Sequence, residues 1–377
     1  MSTGGDLFLY GTLRHRPLLE VVLGRAPRRQ PARLPGYRAH WAEGQPFPLL
    51  VEAPGATAEG LLLTGLSEQE MARLDYYEGG FGFVLREVTV QAEDGVQHRA
   101  RAWFAREGAW RAGAPFDLDD WARRWGEMSV AAAAEYMEGF GTVPRAVATR
   151  RLPQMRQRAW SRVLARAGAV PPVIRNGPGA GEVALLARRR PYTNYFTLEE
   201  HELRFPLFDG SMSAPVTRAT FVSGDAVTVL PYDPRRDRVL VVEQFRHGPF
   251  VRGDRWPWTL EPVAGRIDPG ETPEAAARRE MAEEAGLEVG HLYRVGRYYP
   301  SPGACSEYLH SFVAEADLPD GAAGTFGVDH EAEDIRGHLL GFATAMELLA
   351  TGEADTGPLI LSLLWLAARR EAIRAGA

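Results

Sequence analysis

The densest chemistry in this 377-residue chain lies between Gly265 and Leu287. Glu280, Glu283 and Glu284 are spaced i, i+3, i+4, so a helix through them carries three carboxylates on one face. Carboxylates that close repel one another unless a cation lies among them, and hard oxygen donors select Mg2+ or Mn2+. Such ions bind substrate phosphates, which points to diphosphate chemistry. Arg279 can pair with Glu271 and orient the cluster. Taken alone, the E-x-x-E-E run reads better as a solvated acidic face paired with Arg278 and Arg279. The complete spacing of Gly265, Glu271, Arg279, Glu280, Met281, Glu283, Glu284, Gly286 and Leu287 outweighs that reading.

The elements that must position these groups are also legible. Thr272 is a good N-cap, Pro273 suits the first helical position, Ala275 to Met281 continues the helix and Gly286 stops it. Val227–Leu230 and Val239–Gln244 flank Tyr232-Asp233-Pro234 as a hairpin. A helix from about Pro358 to Arg374 closes the chain. In the other half, Leu7–Tyr10, Glu59–Leu63, Arg86–Gln91 and Arg99–Phe104 read as short strands. Ser67 and Glu70 have capping-box spacing for a helix to Leu74. From Asp117 the pattern turns helical, with Asp119 and Asp120 as candidate caps and a second helix from Leu152 to Ala167 that ends at Gly168. Pro171, Pro172 and Asn176–Gly181 mark a break between domains.

Composition bounds the class. At roughly 150 residues per domain the length suggests two or three domains. Hydrophobic residues at 45% and charged residues at 24% exclude a collagen-like, coiled-coil or wholly disordered chain. One cysteine, Cys305, excludes an intramolecular disulfide framework and reads as a packed small residue. The apolar stretch Leu359–Ala368 is far short of the roughly 18 residues that span a bilayer. The N-terminus lacks the basic region of a secretory signal, so a cytoplasmic protein without membrane contact is expected. Residues 1–190 carry 26 basic and 20 acidic side chains, and residues 191–377 carry 17 and 29, so the halves differ in kind. Every basic residue is arginine, which excludes Schiff-base lysine chemistry and a lysine-dependent P-loop. Eight arginines and no acid lie between Glu138 and Glu182. With Phe140 and Trp160 as the only aromatics there, no base-stacking platform is visible, and nucleic acid is not the expected partner. The strip reads as a helical connector lying on the acidic C-terminal half, or as a solvated face.

The spacing from Gly265 to Leu287 is the Nudix signature, and the C-terminal half closely resembles Nudix hydrolases. Residues from about 190 to 370 resemble the ADP-ribose pyrophosphatase branch, through Phe208–Ser213, Val242–Arg246, Leu260–Gly265, Ser301-Pro302-Gly303 with Glu307, and Glu331–Arg336. The resemblance implies that the Ala264 carbonyl, Glu280, Glu284 and Glu333 hold the metals, with Glu283 assisting, and that Glu331 activates water. Arg218 and Arg246 would contact the phosphates or terminal ribose, Tyr195 or Phe196 would stack on adenine, and Glu261 and Glu307 would assist. The plain alternatives are a surface salt bridge for Arg246 and a core role for Phe196. The reaction implied is Mg2+-dependent (or Mn2+-dependent) hydrolysis of ADP-ribose to AMP and ribose 5-phosphate, in a homodimer formed through the Nudix domain.

Phe8-Leu9-Tyr10-Gly11-Thr12-Leu13 and the later Leu74–Gly79 resemble the gamma-glutamylcyclotransferase-like (AIG2-like) family over about residues 5–110. The resemblance implies a small β-barrel in which backbone N–H groups of Tyr10, Gly11, Thr12 and Leu13 hold a carboxylate. Glu78 would be the general acid/base as a gamma-glutamyl amine closes to 5-oxoproline, with Tyr76, Tyr77 and Phe81 burying it to raise its pKa. The plain alternative is a surface acid beside a turn glycine.

The expected fold is α+β in two domains: a cyclotransferase-like β-barrel with helices over 1–112 and a Nudix α/β/α sandwich over 181–377, joined by an arginine-rich helical connector over 113–180. The whole resembles fusions associated with tellurite resistance, although no residue pattern points to tellurite binding. Two other functions stay open: hydrolysis of another nucleoside diphosphate sugar or dinucleotide, and a ligand-sensing protein with a vestigial Nudix site.

Overall fold

The computed structural model describes residues 5–168, 173–174, 183–326 and 334–376. The chain divides into two compact units, Met1–Ala169 and Val170–Ala377.

The first unit runs β1 (Leu7–Leu9), α1 (Arg16–Leu23), β2 (Arg29–Ala42), β3 (Pro48–Leu63), α2 (Glu68–Glu78), β4 (Phe83–Ala92), β5 (Gln97–Ala105), β6 (Ala112–Pro115), α3 (Leu118–Trp121), α4 (Glu127–Glu138) and α5 (Arg145–Ala167). The strand order β3-β1-β5-β4-β2 returns to β3, closing a five-stranded barrel, and β6 adds to β2. Closure leaves no unpaired edge within the ring. Alternation along β1 splits its side chains between two cores. Phe8 packs inside the barrel with Leu62, Val90 and Ala102, while Leu7 and Leu9 face the helices, packing with Leu63, Trp121, Tyr136 and Met155.

The helices of residues 118–167, expected as part of a connector, therefore supply core to this unit. Asp117 caps α3, accepting from the Asp120 N–H at 2.8 Å, so the cap falls before the expected Asp119 and Asp120. Helix α5 begins at Arg145 rather than Leu152 and runs through Pro153, which is exposed. Its arginines do not form one solvated face, because Arg158 is buried against Glu135 of α4 at 2.5 Å.

The second unit opens with β7 (Ala184–Thr193), β8 (Thr197–Arg204) and β9 (Val216–Val222), an antiparallel three-stranded sheet. There follow β10 (Ala226–Asp233), β11 (Arg238–Phe245), α6 (His247–Arg252), β12 (Trp258–Glu261), β13 (Val263–Arg266), α7 (Pro273–Ala285), β14 (Val289–Tyr298), β15 (Leu309–Ala316), β16 (Thr325–Phe326), β17 (Ile335–Gly341), α8 (Phe342–Thr351) and α9 (Gly357–Ala375). The larger sheet runs β14-β15-β10-β11-β17-β16, with β12 on β11 and β13 on β10. Strand β10 is buried along its whole length, as a central strand covered on both faces must be. Leu230 and Tyr232 pack with Leu359, Leu363 and Leu366 of α9, while α7 buries Ala276, Ala277 and Met281. The β10–β11 hairpin turns through Asp237 at φ 56°, fixed by Tyr232 Oη donating to its carboxylate at 2.8 Å and by Arg370.

Candidate functional site

In the second unit the acidic helix and strand β13 build the site together. The Thr272 hydroxyl accepts from the Ala275 N–H at 3.2 Å, and Gly286 ends α7 at φ 62°. Strand β13 lies antiparallel on β10 with Gly265 opposite Val227. The absence of a side chain at Gly265 is what lets Glu280 in: a Cβ there would stand 2.0 Å from the Glu280 carboxyl carbon. Glu284 folds onto the same strand and accepts from the Ala264 N–H at 3.1 Å. Glu280 and Glu284 are buried, while Glu283, one helical position away, is exposed.

Arg279 spends all its donors on this cluster. It donates to both oxygens of Glu271 at 2.9 Å, to Glu280 at 2.7 Å, to Glu283 at 2.9 Å and to the Arg266 carbonyl at 2.9 Å. Burial lifts the Glu280 carboxyl to about 7, against the opposing pull of Arg279. Asp268, which carries no signal of its own in the sequence, adds a like charge that pushes the same way. A buried carboxylate in a cradle only glycine leaves open, beside a second buried carboxylate, suits a hard divalent cation. Among the described residues no three Asp, Glu, His or Cys side chains are arranged to hold a metal ion by themselves. Glu331 and Glu333 lie outside the described residues.

The expected substrate-binding residues are dispersed. Arg246 makes a two-point ion pair with Glu261 at 2.8 and 2.7 Å, and Thr259 also donates to Glu261 at 2.6 Å. Arg218, on β9, is exposed and donates to its neighbour Thr217. Tyr195 is 54% exposed in the β7–β8 turn, edge-on to Phe196 at 4.7 Å, and Phe196 packs on Phe221 at 4.5 Å. Arg266 joins Glu307 at 3.0 Å to the Gly224 carbonyl at 2.6 Å. Cys305 is half-buried, with its Sγ toward the Ser301 carbonyl.

In the first unit a cavity opens beside the end of β1. Tyr10, Gly11, Thr12 and Leu13 line it together with Glu78, at the end of α2. Residues 12–14 form a single 3-10 turn, closed by Arg14 N–H to Gly11 O at 3.0 Å. The first N–H groups of such a turn are not used within it. Phe47, Phe81, Phe83 and Trp103 line the rest in aromatic surface. Burial pushes the Glu78 carboxyl up to about 7. Tyr10 and Tyr77 are pushed up by burial first and by the neighbouring Glu78 second. Tyr77, expected to bury Glu78, lines the cavity with it, as does Phe81, whereas Tyr76 turns into the helical core and donates to the Val143 carbonyl at 3.0 Å. Arg156 of α5 also lines this cavity, although in sequence it is only one of an arginine-rich strip.

Comparison with known proteins agrees with this division. The NUDIX domain family matches residues 222–362, and the family described as gamma-glutamyl cyclotransferase, AIG2-like, matches residues 7–123. The chain is 38% identical to the ADP-ribose pyrophosphatase of Escherichia coli strain K12 over 196 residues, covering 52% of this chain and 93% of that protein. It is 36% identical to the ADP-ribose pyrophosphatase of Haemophilus influenzae, covering 49% of this chain and 86% of the relative. It is 33% identical to the GDP-mannose pyrophosphatase of Escherichia coli strain HS, covering 49% and 95%. These relatives account for about half of the chain, and the signature helix, its glycine cradle and the sheet they dock on account for why: the chain belongs to the Nudix hydrolase family and carries a gamma-glutamyl cyclotransferase, AIG2-like domain ahead of its Nudix domain.

Proposed function

We propose that the Nudix unit hydrolyses the pyrophosphate of ADP-ribose to AMP and ribose 5-phosphate, with Mg2+ or Mn2+. The observation that carries this is the pair of buried carboxylates, Glu280 and Glu284, gathered against Ala264 and Gly265 by α7 and β13. The names of the relatives at 36% and 38% identity supply the substrate. The Ala264 carbonyl, Glu280, Glu284 and Glu333 hold the ion, with Glu283 beside them. When bound, the ion neutralises the pyrophosphate oxygens and eases attack by water. Arg279 keeps the carboxylates oriented through its five hydrogen bonds. Glu331 takes the proton from the attacking water as the P–O bond to the bridging oxygen breaks. Arg218 and Arg246 bind the phosphates or terminal ribose, assisted by Glu261 and Glu307, and Tyr195 or Phe196 stacks on the base. For Arg246 this requires that the ion pair with Glu261 re-form around substrate or position it.

The match to a GDP-mannose pyrophosphatase favours one second reading, hydrolysis of another nucleoside diphosphate sugar. Nucleotide release from ADP-ribose and GDP-mannose, measured side by side with the ion present and chelated, separates the two. Equal turnover of both would remove the ADP-ribose assignment. A homodimer through the Nudix unit is supported by Leu185, Leu186 and Tyr192 on β7, each more than half exposed. A cytoplasmic location accords with one cysteine and with the finding that no described helix is long and apolar enough to cross a membrane.

For the first unit we propose gamma-glutamyl cyclotransfer, supported by Glu78 in an aromatic cavity with its carboxyl held near 7. Glu78 takes a proton from the gamma-glutamyl amine as that nitrogen attacks the γ-carbonyl. The proton returns to the departing amine as the amide C–N bond breaks, leaving 5-oxoproline. Formation of 5-oxoproline from gamma-glutamyl amino acids tests this, and intact protein that forms none would leave a binding module.

A further inference from the structure

Helix α5 lies outside the residues 7–123 that match the cyclotransferase family, yet it sends a cation into the cyclotransferase-like cavity. Three other arginines of α5 are neutralised by carboxylates. Arg145 pairs with Asp75 at 2.6 Å, Arg158 with Glu135 at 2.5 Å, and Arg166 with Glu127. Arg156 instead lines the cavity and has no carboxylate within ion-pair distance among the described residues. Its guanidinium lies 5.7 Å from the Phe81 ring centroid, an aromatic contact that leaves its N–H donors uncommitted. Burial lowers its pKa, opposed by Tyr77.

Glu78 lines the same cavity, but the two do not form an ion pair. Tyr77 lies within the field of both, raised by Glu78 and lowered by Arg156. The cavity thus has a protonatable carboxyl, a guanidinium and aromatic walls. A half-buried cation without a counter-ion is costly, and a planar fork of donors is matched by a carboxylate. A ligand that satisfies both positions has an amine near Glu78 and a carboxylate at Arg156, which is the chemistry of an amino-acid derivative.

We infer that Arg156 is a carboxylate anchor of this cavity, beside the backbone N–H groups of Tyr10 to Leu13, and a specificity-determining residue supplied by α5. The inference rests on reading the cavity as a gamma-glutamyl site. A gamma-glutamyl amino acid has two carboxylates, one on the glutamyl head and one on the amine half. Gamma-glutamylalanine carries both, and gamma-glutamylethylamide carries only the first, so the pair identifies which one Arg156 holds.

The test is calorimetric titration of both compounds into the full chain, as it is and with Glu78→Gln to stop turnover, each with Arg156 intact, Arg156→Met and Arg156→Lys. Arg156→Met is expected to weaken gamma-glutamylalanine by about tenfold or more, with Arg156→Lys recovering part of the loss and thermal melting unchanged. An equal loss for gamma-glutamylethylamide assigns the head carboxylate, and a loss confined to gamma-glutamylalanine assigns the other. Affinities within twofold of the parent for both compounds would overturn the inference. So would binding of neither compound by the parent or Glu78→Gln. Binding that depends on Arg156 without 5-oxoproline formation would instead remove the cyclotransferase reading and leave the anchor standing.

Discussion

At the scale of single residues, both candidate sites depend on carboxyl groups that burial holds near 7. For Glu78 the folded pKa lies above that of the unfolded chain. Its neutral form therefore supports the fold fully below the unfolded value, near 4.5, and that support is lost as pH rises through about 7. Glu78→Gln should accordingly stabilise the first unit at pH 8 by about 1–3 kcal/mol, with the difference vanishing near pH 4. Denaturant titrations at the two pH values check this, and a constant difference would show that burial of the charge is not the cause. Gly265 offers a second residue-level test. Gly265→Ala places a methyl where the Glu280 carboxyl now lies, so nucleotide hydrolysis should fall on the order of 100-fold while the melting temperature changes little. Retained hydrolysis would mean that Glu280 is free to act from elsewhere.

At the scale of elements, α7 is legible in the sequence because its determinants are local: Thr272, Pro273 and Gly286 bound it, and the i, i+3, i+4 spacing fixes its acidic face. The closed barrel is less legible. Its closure depends on β1 pairing with β3 and β5 and on β2 pairing with β4, contacts between strands far apart in sequence that leave no local periodicity. The same limit hides Arg156. In sequence it is one of several arginines of a helix, and only the packing of α5 separates the one in the cavity from those paired on the surface or with Glu135. Pro153 likewise suggests a helix start, while tertiary packing carries α5 through it. The ion pair between α4 and α5 tests that packing. Arg158→Met removes the guanidinium paired with the buried Glu135 and should cost roughly 3–5 kcal/mol, whereas Glu135→Leu with Arg158→Met should recover most of the loss. Equal destabilisation by both proteins would show that the pair does more than neutralise itself.

At the scale of the whole molecule, two compact units of opposite net charge each hold a candidate site formed within one unit. Changes that share no contacts act independently. Glu78→Gln should thus leave ADP-ribose turnover within about twofold of the parent, and Glu284→Gln should leave gamma-glutamylalanine binding similarly unchanged. Cross-effects larger than that would mean the sites are coupled. The pyrophosphatase reading of the Nudix unit rests on the helix, cradle and arginine clamp, because Glu331 and Glu333 lie outside the described residues. It is tested most directly by AMP release from ADP-ribose, measured for the full chain and for Glu284→Gln with Mg2+ and with excess chelator. The expected result is release that requires the ion and falls at least about 100-fold in the variant. Release that persists in chelator, or is undiminished in Glu284→Gln, would contradict it.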